Sequence, residues 1–186
     1  LVEQGKTNPF IIDLIQANVR TPESTVGDLI ANVTCNEVGG RQLLEFMDEY
    51  SINDLVPLSD AIRSQSELAM RNEIQEIKNG SYKNQIMIEA IDESIPLECT
   101  VEVKDESIDI SFDGTGECVK RGINVPFCYT NAMSLYSIKC ITIPSLPNNE
   151  GATRPINVSA PEGCLLNAQP PYPTGGRHAI GHFVPG

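Results

Sequence analysis

The chain has no tryptophan, and aromatic residues make up only 5% of its 186 positions. It has two histidines, His178 and His182, and its six cysteines form no Cys-x-x-Cys pair. A zinc knuckle and a thioredoxin-type redox motif are therefore excluded. Basic residues are scarce: 13 Lys and Arg stand against 25 Asp and Glu, for a net charge of −12. Nucleic-acid binding rests on phosphate neutralisation by Lys and Arg. With no basic cluster to supply it, nucleic acid is not an expected partner, and anionic membrane surfaces are disfavoured for the same reason. No apolar run approaches the roughly 18 residues that cross a bilayer. The first residues, LVEQGKTNPF, show neither an initiator methionine nor the basic-then-apolar pattern of a secretory signal. Also missing are the Gly-x-Ser-x-Gly elbow, the P-loop and the Gly-x-Gly-x-x-Gly fingerprint.

What is present is ordinary for a globular chain: 40% apolar and 20% charged residues. The length suggests one domain or two small ones. The cysteines (Cys35, Cys99, Cys118, Cys128, Cys140, Cys164) are too scattered for a small stapled scaffold. They are expected as free, mostly buried thiols in a reducing cytoplasm. Sequons at Asn32, Asn79 and Asn157 matter only in a secretory setting.

The first third reads as helix. Asn8-Pro9 opens a short apolar-faced helix carrying Phe10, Ile11, Leu14 and Ile15. Thr21-Pro22-Glu23 is a second start signal, followed by Val26, Leu29, Ile30, Val33, Leu43, Leu44 and Met47 at helical spacing. Gly27, Gly39 and Gly40 oppose this helix, at about 1 kcal/mol each relative to Ala. They imply close packing against a neighbour or a break near Gly39. A third helix is expected over about 54–78, on Leu55, Leu58, Ile62, Leu68, Ile74 and Ile77, ending at Asn79-Gly80. After Gly80 the period changes to two. YKNQIMIEAID and LECTVEVKDESIDISF alternate, the latter around a turn at Asp105-Glu106, as antiparallel strands do. Residues 125–141 suit a mostly buried helix.

The order predicts an α+β fold: N-terminal long antiparallel helices, a small antiparallel sheet with one buried helix, and an irregular Pro/Gly-rich region. A helical arm over 1–80 and an α+β region over 81–186 are the expected domains. The arm's apolar faces exceed what a small sheet covers, so self-association is expected.

Residues 143–167, IPSLPNNEGATRPINVSAPEGCLLN, hold four prolines and four asparagines, with apolar pairs Ile156/Val158 and Leu165/Leu166 between them. Prolines fix φ and glycines permit positive φ, so such a stretch holds one irregular shape. Asn148, Asn149, Glu150 and Arg154 could bind a polar ligand there or hold the loop itself. His178-x-x-x-His182 has a spacing that binds zinc on a helix, but Gly181 and Pro185 oppose a regular helix and further ligands are wanting. These histidines read as loop or interface residues, with no metal site. SFDGTGE, residues 111–117, reads as a turn ending a strand.

Longer motifs now become informative. They are Gly122-Ile123-Asn124-Val125-Pro126, Pro147-Asn148-Asn149-Glu150-Gly151, Arg154-Pro155-Ile156, Ala160-Pro161-Glu162-Gly163, Leu166-Asn167 and Arg177-His178. Together with NVRTPESTVGDLIANV (18–33) and GGRQLLEFMDEY (39–50), this pattern resembles the hydantoinase B family. That family takes in N-methylhydantoinase B subunits, the matching half of 5-oxoprolinase, and acetone and acetophenone carboxylase subunits. Two departures stand out. The family's Asp-Phe-Ser-Gly-Thr-like turn is here Ser111-Phe112-Asp113-Gly114-Thr115, so an acid at its first position is lost or moved to Asp113. The family's upstream Gly-Gly-Thr-His-x-Pro-Asp-like motif, associated with metal, has no counterpart.

The resemblance implies an internal fragment of a larger subunit, inactive in isolation. The implied function is ATP-dependent hydrolysis of a cyclic amide: hydantoin, 5-oxoproline or a lactam. The alternative is a structural and subunit-contact module of a related ATP-dependent ketone carboxylase. ATP is implied on a hydantoinase A-like partner subunit, and a divalent metal upstream in the parent. The implied substrate-side candidates are Asn124, Asn148, Asn149, Glu150 and Arg154, with Arg177, His178 and His182 at an interface or beside the substrate. No catalytic residue is identified.

Overall fold

A computed structural model describes residues 1–90 and 93–186. The chain divides into two compact units, Leu1–Leu55 and Val56–Gly186. The third expected helix belongs to the second unit, so the change of period at Gly80 does not mark the edge of a compact unit.

In the first unit, β1 (Val2–Glu3) and β2 (Lys6–Thr7) form a hairpin whose turn residues Gln4 and Gly5 both take positive φ. This is the conformation that two-residue hairpin loops require. Helix α1 (Pro9–Asn18) starts where Asn8 Oδ1 accepts from Phe10 N at 3.1 Å. It packs against α2 (Pro22–Glu49). Helix α2 is continuous through Gly39-Gly40, and a Cβ added at Gly27, Gly39 or Gly40 would meet nothing within 4 Å. The expected break is absent and so is close packing at these glycines. The helix tolerates their propensity cost because the 25 other residues carry it.

The second unit is a mixed helix-and-sheet layer structure. It opens with α3 (Val56–Gln75). The buried stripe of α3 is Ser66, Met70 and Ile74, one residue per turn. Leu58, Ile62 and Leu68, on whose spacing the helix was expected, are exposed. A four-stranded sheet follows, in the order β3-β4-β5-β6. Strands β3 (Gly80–Glu89) and β4 (Ser94–Lys104) pair antiparallel, from Gly80↔Val103 to Glu89↔Ser94. β5 (Ser107–Ser111) returns antiparallel on β4, with Val103 opposite Ile108. Asp105 turns this hairpin at φ 52°, and Asn79 grips it: Asn79 Nδ2 donates to Asp105 Oδ1 and Asp105 N donates to Asn79 Oδ1, both at 2.9 Å.

The sheet departs from the antiparallel arrangement expected. β6 (Ile156–Ser159) runs parallel to β5, with Ile108 opposite Ile156. Parallel neighbours need a long crossover. Here it contains α4 (Phe127–Ile141) and α5 (Glu150–Thr153). Ile88, Ile95, Leu97, Val103, Ile108, Ile110 and Ile156 all lie on one face of the sheet and are buried. The opposite face carries Lys83, Glu98, Glu102, Lys104, Asp109 and Asn157. Strict alternation of this kind marks a sheet with one wet side.

Helix α4 is only half buried. Its inward stripe is Thr130, Ser134 and Ile138, while Cys128, Tyr136, Cys140 and Ile141 face outward. Small polar residues serve the inward side because the 164–168 segment comes close. Thr130 Oγ1 donates to Leu166 O at 2.6 Å, and Ser134 Oγ donates to Thr130 O at 2.9 Å. Leu165 and Leu166 are fully buried. Cys35, Cys128 and Cys140 are exposed and only Cys164 is buried, so the expectation of mostly buried thiols is corrected. The exposed three sit on α2, which buries nothing, and on the outer side of α4. Burial, and then the neighbouring Cys164, pushes the Cys118 thiol up to about 11. No described helix is long and apolar enough to cross a membrane.

Candidate functional site

The Pro147-to-Pro155 segment is where four of the eight sequence candidates meet. Asn149 caps α5: its Oδ1 accepts from Ala152 N at 3.3 Å. Its Nδ2 donates to Ser66 Oγ of α3 at 2.8 Å and to Pro147 O at 3.3 Å. The next contact explains Gly151. A Cβ there would lie 2.0 Å from Arg63 O and 2.7 Å from Arg63 Cα. Only glycine lets the α5 backbone rest directly on the α3 backbone.

Charges close the joint. Glu150 Oε2 pairs with Arg63 Nη1 at 3.3 Å, and Glu150 Oε1 with Arg154 Nε at 3.5 Å. Arg154 Nη1 reaches Glu67 Oε2 at 3.1 Å, and Arg71 Nη2 reaches Glu67 Oε1 at 2.7 Å. Asp60, on Arg63, and Glu106, 3.2 Å from Arg71, end an alternating chain of seven side chains. The Arg71 hydrogen bond, and next the Arg154 one, hold the Glu67 carboxyl below the usual carboxylate range. Arg154 is in turn raised by Glu67 first and Glu150 second. Isolated surface pairs contribute little, but a network fixes geometry. Arg63, Ser66, Glu67 and Arg71 were not among the sequence candidates. Their only signal was the i, i+4 spacing of Arg63, Glu67 and Arg71, which marks a charged helix face and says nothing of its partner.

Beside this joint lies a cleft of about 560 Å³. Met70, Ala132, Leu135 and Ile156 supply apolar wall; Tyr136, Lys139, Cys140, Asn148, Asn149 and Glu150 supply polar groups. Lys139 Nζ donates to Asn148 Oδ1 across it. The Tyr136 hydroxyl is raised above its ordinary value, chiefly by hydrogen bonding to Cys140. An apolar floor with a few convergent polar groups is the usual form of a small-molecule site.

The remaining candidates sit elsewhere. Asn124 is fully buried and its polar atoms are engaged with backbone. Its Oδ1 accepts from Val119 N at 2.8 Å, and its Nδ2 donates to Val119 O (2.8 Å), Arg121 O (2.7 Å) and Pro173 O (2.9 Å). It clamps two loops and does not line the cleft. Arg154 is not on the cleft wall either; it pairs with Glu150, which is. Arg177, His178 and His182 are exposed around α6 (His178–Gly181). The two imidazoles lie edge to face with centroids 6.4 Å apart. Gly181 anchors this turn, since a Cβ there would come within 2.2 Å of the Tyr129 ring. Asp113 is exposed at the 111–115 turn, where Thr115 Oγ1 accepts from Glu98 N and donates to Glu98 O, both at 3.2 Å. Among the described residues, no group of three or more His, Cys, Asp or Glu side chains is placed to hold a metal ion. The resemblance implies its divalent metal upstream in the parent and not on these residues.

Comparison with known proteins completes the picture. A Pseudomonas sp. protein, named as the candidate B component of a D-/L-hydantoinase, is 29% identical over 98% of this chain and 33% of its own. The crystal structure of an ATP-dependent caprolactamase from Pseudomonas jessenii superposes with a TM-score of 0.83 at 24% identity, over 93% of this chain and 30% of that one. A nucleotide-free acetone carboxylase structure superposes at 0.78 and 14% identity, over 95% of this chain and 25% of that one. Both share this fold. The chain spans a third or less of the curated relatives it matches, from 33% down to 11% of their length. The family profile described as Hydantoinase B/oxoprolinase matches residues 1–185, and the chain belongs to that family.

Proposed function

We propose that the chain is part of the B-type component of an ATP-dependent cyclic-amide hydrolase, opening a hydantoin, 5-oxoproline or lactam ring. The family match over 1–185 carries this reading. Relatives named as the B component of a hydantoinase and the beta component of a caprolactamase support a multi-subunit enzyme. In this reading ATP is held by a hydantoinase A-like partner subunit, in the cytoplasm, and the two regions of this chain belong to one longer polypeptide. An unstrained amide is a poor electrophile. Phosphorylating its oxygen gives the carbon a good leaving group, which is the role assigned to ATP.

Within this chain, the cleft beside α5 is the proposed substrate-side surface. Its apolar wall suits a ring's methylenes, and Asn148, Lys139 and Glu150 supply hydrogen bonding. Arg154 is a positioning residue that holds Glu150. The second reading, a contact module with chemistry elsewhere and with ketone carboxylation as the related reaction, rests on a specific observation: Asn124, Asn149, Glu150 and Arg154 all have intrachain partners.

The test uses the full-length protein with its ATP-binding partner. ATP turnover dependent on hydantoin, 5-oxoproline or caprolactam is expected, and its absence with all three sinks the hydrolase reading. Arg154→Ala is expected to lower turnover more than about tenfold with the fold retained. Unchanged kinetics in a folded variant assigns the segment to subunit contact.

A further inference from the structure

The two edges of the sheet are guarded unequally. β6 is four residues long, with Pro155 before it and Pro161 after. Short edge strands and prolines discourage further pairing. β3, at the other edge, has ten residues and no proline, and pairs residue for residue with β4 without a bulge. Among the described residues it pairs with no other strand. Every residue of β3 except Ile88 is exposed, including Tyr82, Ile86 and Met87. A long, regular edge of this kind is a template for another strand.

We propose that this edge binds β3 of a second copy of the chain, antiparallel and centred on Ile86. The argument is the charge pattern of the strand. A two-fold axis through Ile86 sets Ile86 beside Ile86, Gln85 beside Met87, Asn84 beside Ile88 and Lys83 beside Glu89. Opposed residues then share a face, as antiparallel pairing across a continuous sheet requires. Lys83 and Glu89 are the only charged side chains of the strand. Six residues apart, they lie about 20 Å from one another within one chain, too far to pair; Lys83 is held within the chain by Glu98, and Glu89 stands opposite Ser94. Self-pairing brings them together twice, once at each end of the shared ladder. A shift of the register by two residues opposes Lys83 to Met87 in one direction and Glu89 to Gln85 in the other, and either loses both pairs. The inference is independent of the reaction proposed above. It concerns the unit Val56–Gly186 alone.

Sedimentation equilibrium of the full chain across a micromolar series, with circular dichroism to establish folding, tests it. A monomer–dimer equilibrium is expected. K83E places like charges opposite one another at both ends and should raise the dimer Kd about tenfold or more. K83E/E89K restores both pairs and should return the Kd close to that of the unaltered chain. The repulsion K83E creates with its intrachain neighbour Glu98 persists in the double variant, so rescue reports the intermolecular pair and not the fold. A monomer throughout the series, a K83E dimer of unchanged Kd, or a double variant as weak as K83E each overturns the proposal.

Discussion

Helix α2 runs for 28 residues and buries none of them, while α5 runs for four and buries Gly151 and Ala152. The long helix carries every local signal: a start at Thr21-Pro22, apolar residues at helical spacing, an acid in the first turn. The short one carries almost none beyond Asn149. Yet α5 is the element whose position is fixed by contacts from residues more than 80 places away, namely Arg63, Ser66 and Glu67. Local propensity makes a helix, and a few specific contacts place it. The contrast is sharpest in the glycines. Gly151 has a backbone 2.0 Å from where its Cβ would be, and Gly39 and Gly40 have nothing within 4 Å.

The contrast can be broken at its strong end first. Gly151→Ala should destabilise the second unit by about 3 kcal/mol or more, because the clash is with backbone that cannot rotate away. Urea unfolding followed by circular dichroism checks this, and an unchanged midpoint would mean that α5 does not rest on α3. Asn149→Ala comes next. It removes the cap of α5 and leaves the buried Ser66 hydroxyl without its partner, for a loss of about 2 kcal/mol. Asn149→Ser keeps a capping oxygen but is too short to reach Ser66, so it should recover about half of that loss. Equal losses for the two variants would show that the Ser66 contact, and not the cap, holds the segment.

The mixed helix-and-strand composition, the helix starts at Asn8-Pro9 and near Thr21-Pro22, the Asp105 hairpin and the α4 span were all legible, because each rests on neighbours within a few residues. The candidates Asn148, Asn149, Glu150 and Arg154 were legible as a polar cluster, and three of them line one cleft. What the residues did not reveal was the partner of that cluster. Arg63 and Glu150 stand 87 positions apart, and no local pattern encodes such a pairing. The buried side of α3 was hidden for a related reason. Leu58, Ile62 and Leu68 are more apolar than Ser66, but the close approach of α5 demands a small side chain there. β6 was obscured by its four-residue length and its flanking prolines, and its parallel pairing depends on a crossover that alternation cannot show. Asn124 looked like a ligand-binding amide and is a loop clamp, since the same donor and acceptor serve either purpose.

The smallest expected effect lies at the open end of the comparison. Gly40 sits inside α2 with helical backbone and no atom near its absent Cβ. Alanine there relieves the entropy cost of glycine in a helix and adds no clash, so Gly40→Ala should stabilise the helix by about 0.5–1 kcal/mol. Thermal unfolding of the isolated chain, read by helical dichroism, should show the gain. A loss in this chain would mean that the glycine pair is packed against something, and the contrast with Gly151 would fail. The same substitution in the full-length protein asks a further question. If stabilisation there turns into destabilisation, another part of that protein closes on Gly39 and Gly40, and the exposed face of α2 is a docking surface. If the gain persists, the glycines are unoccupied in both settings, and the helix stands on its local signals alone.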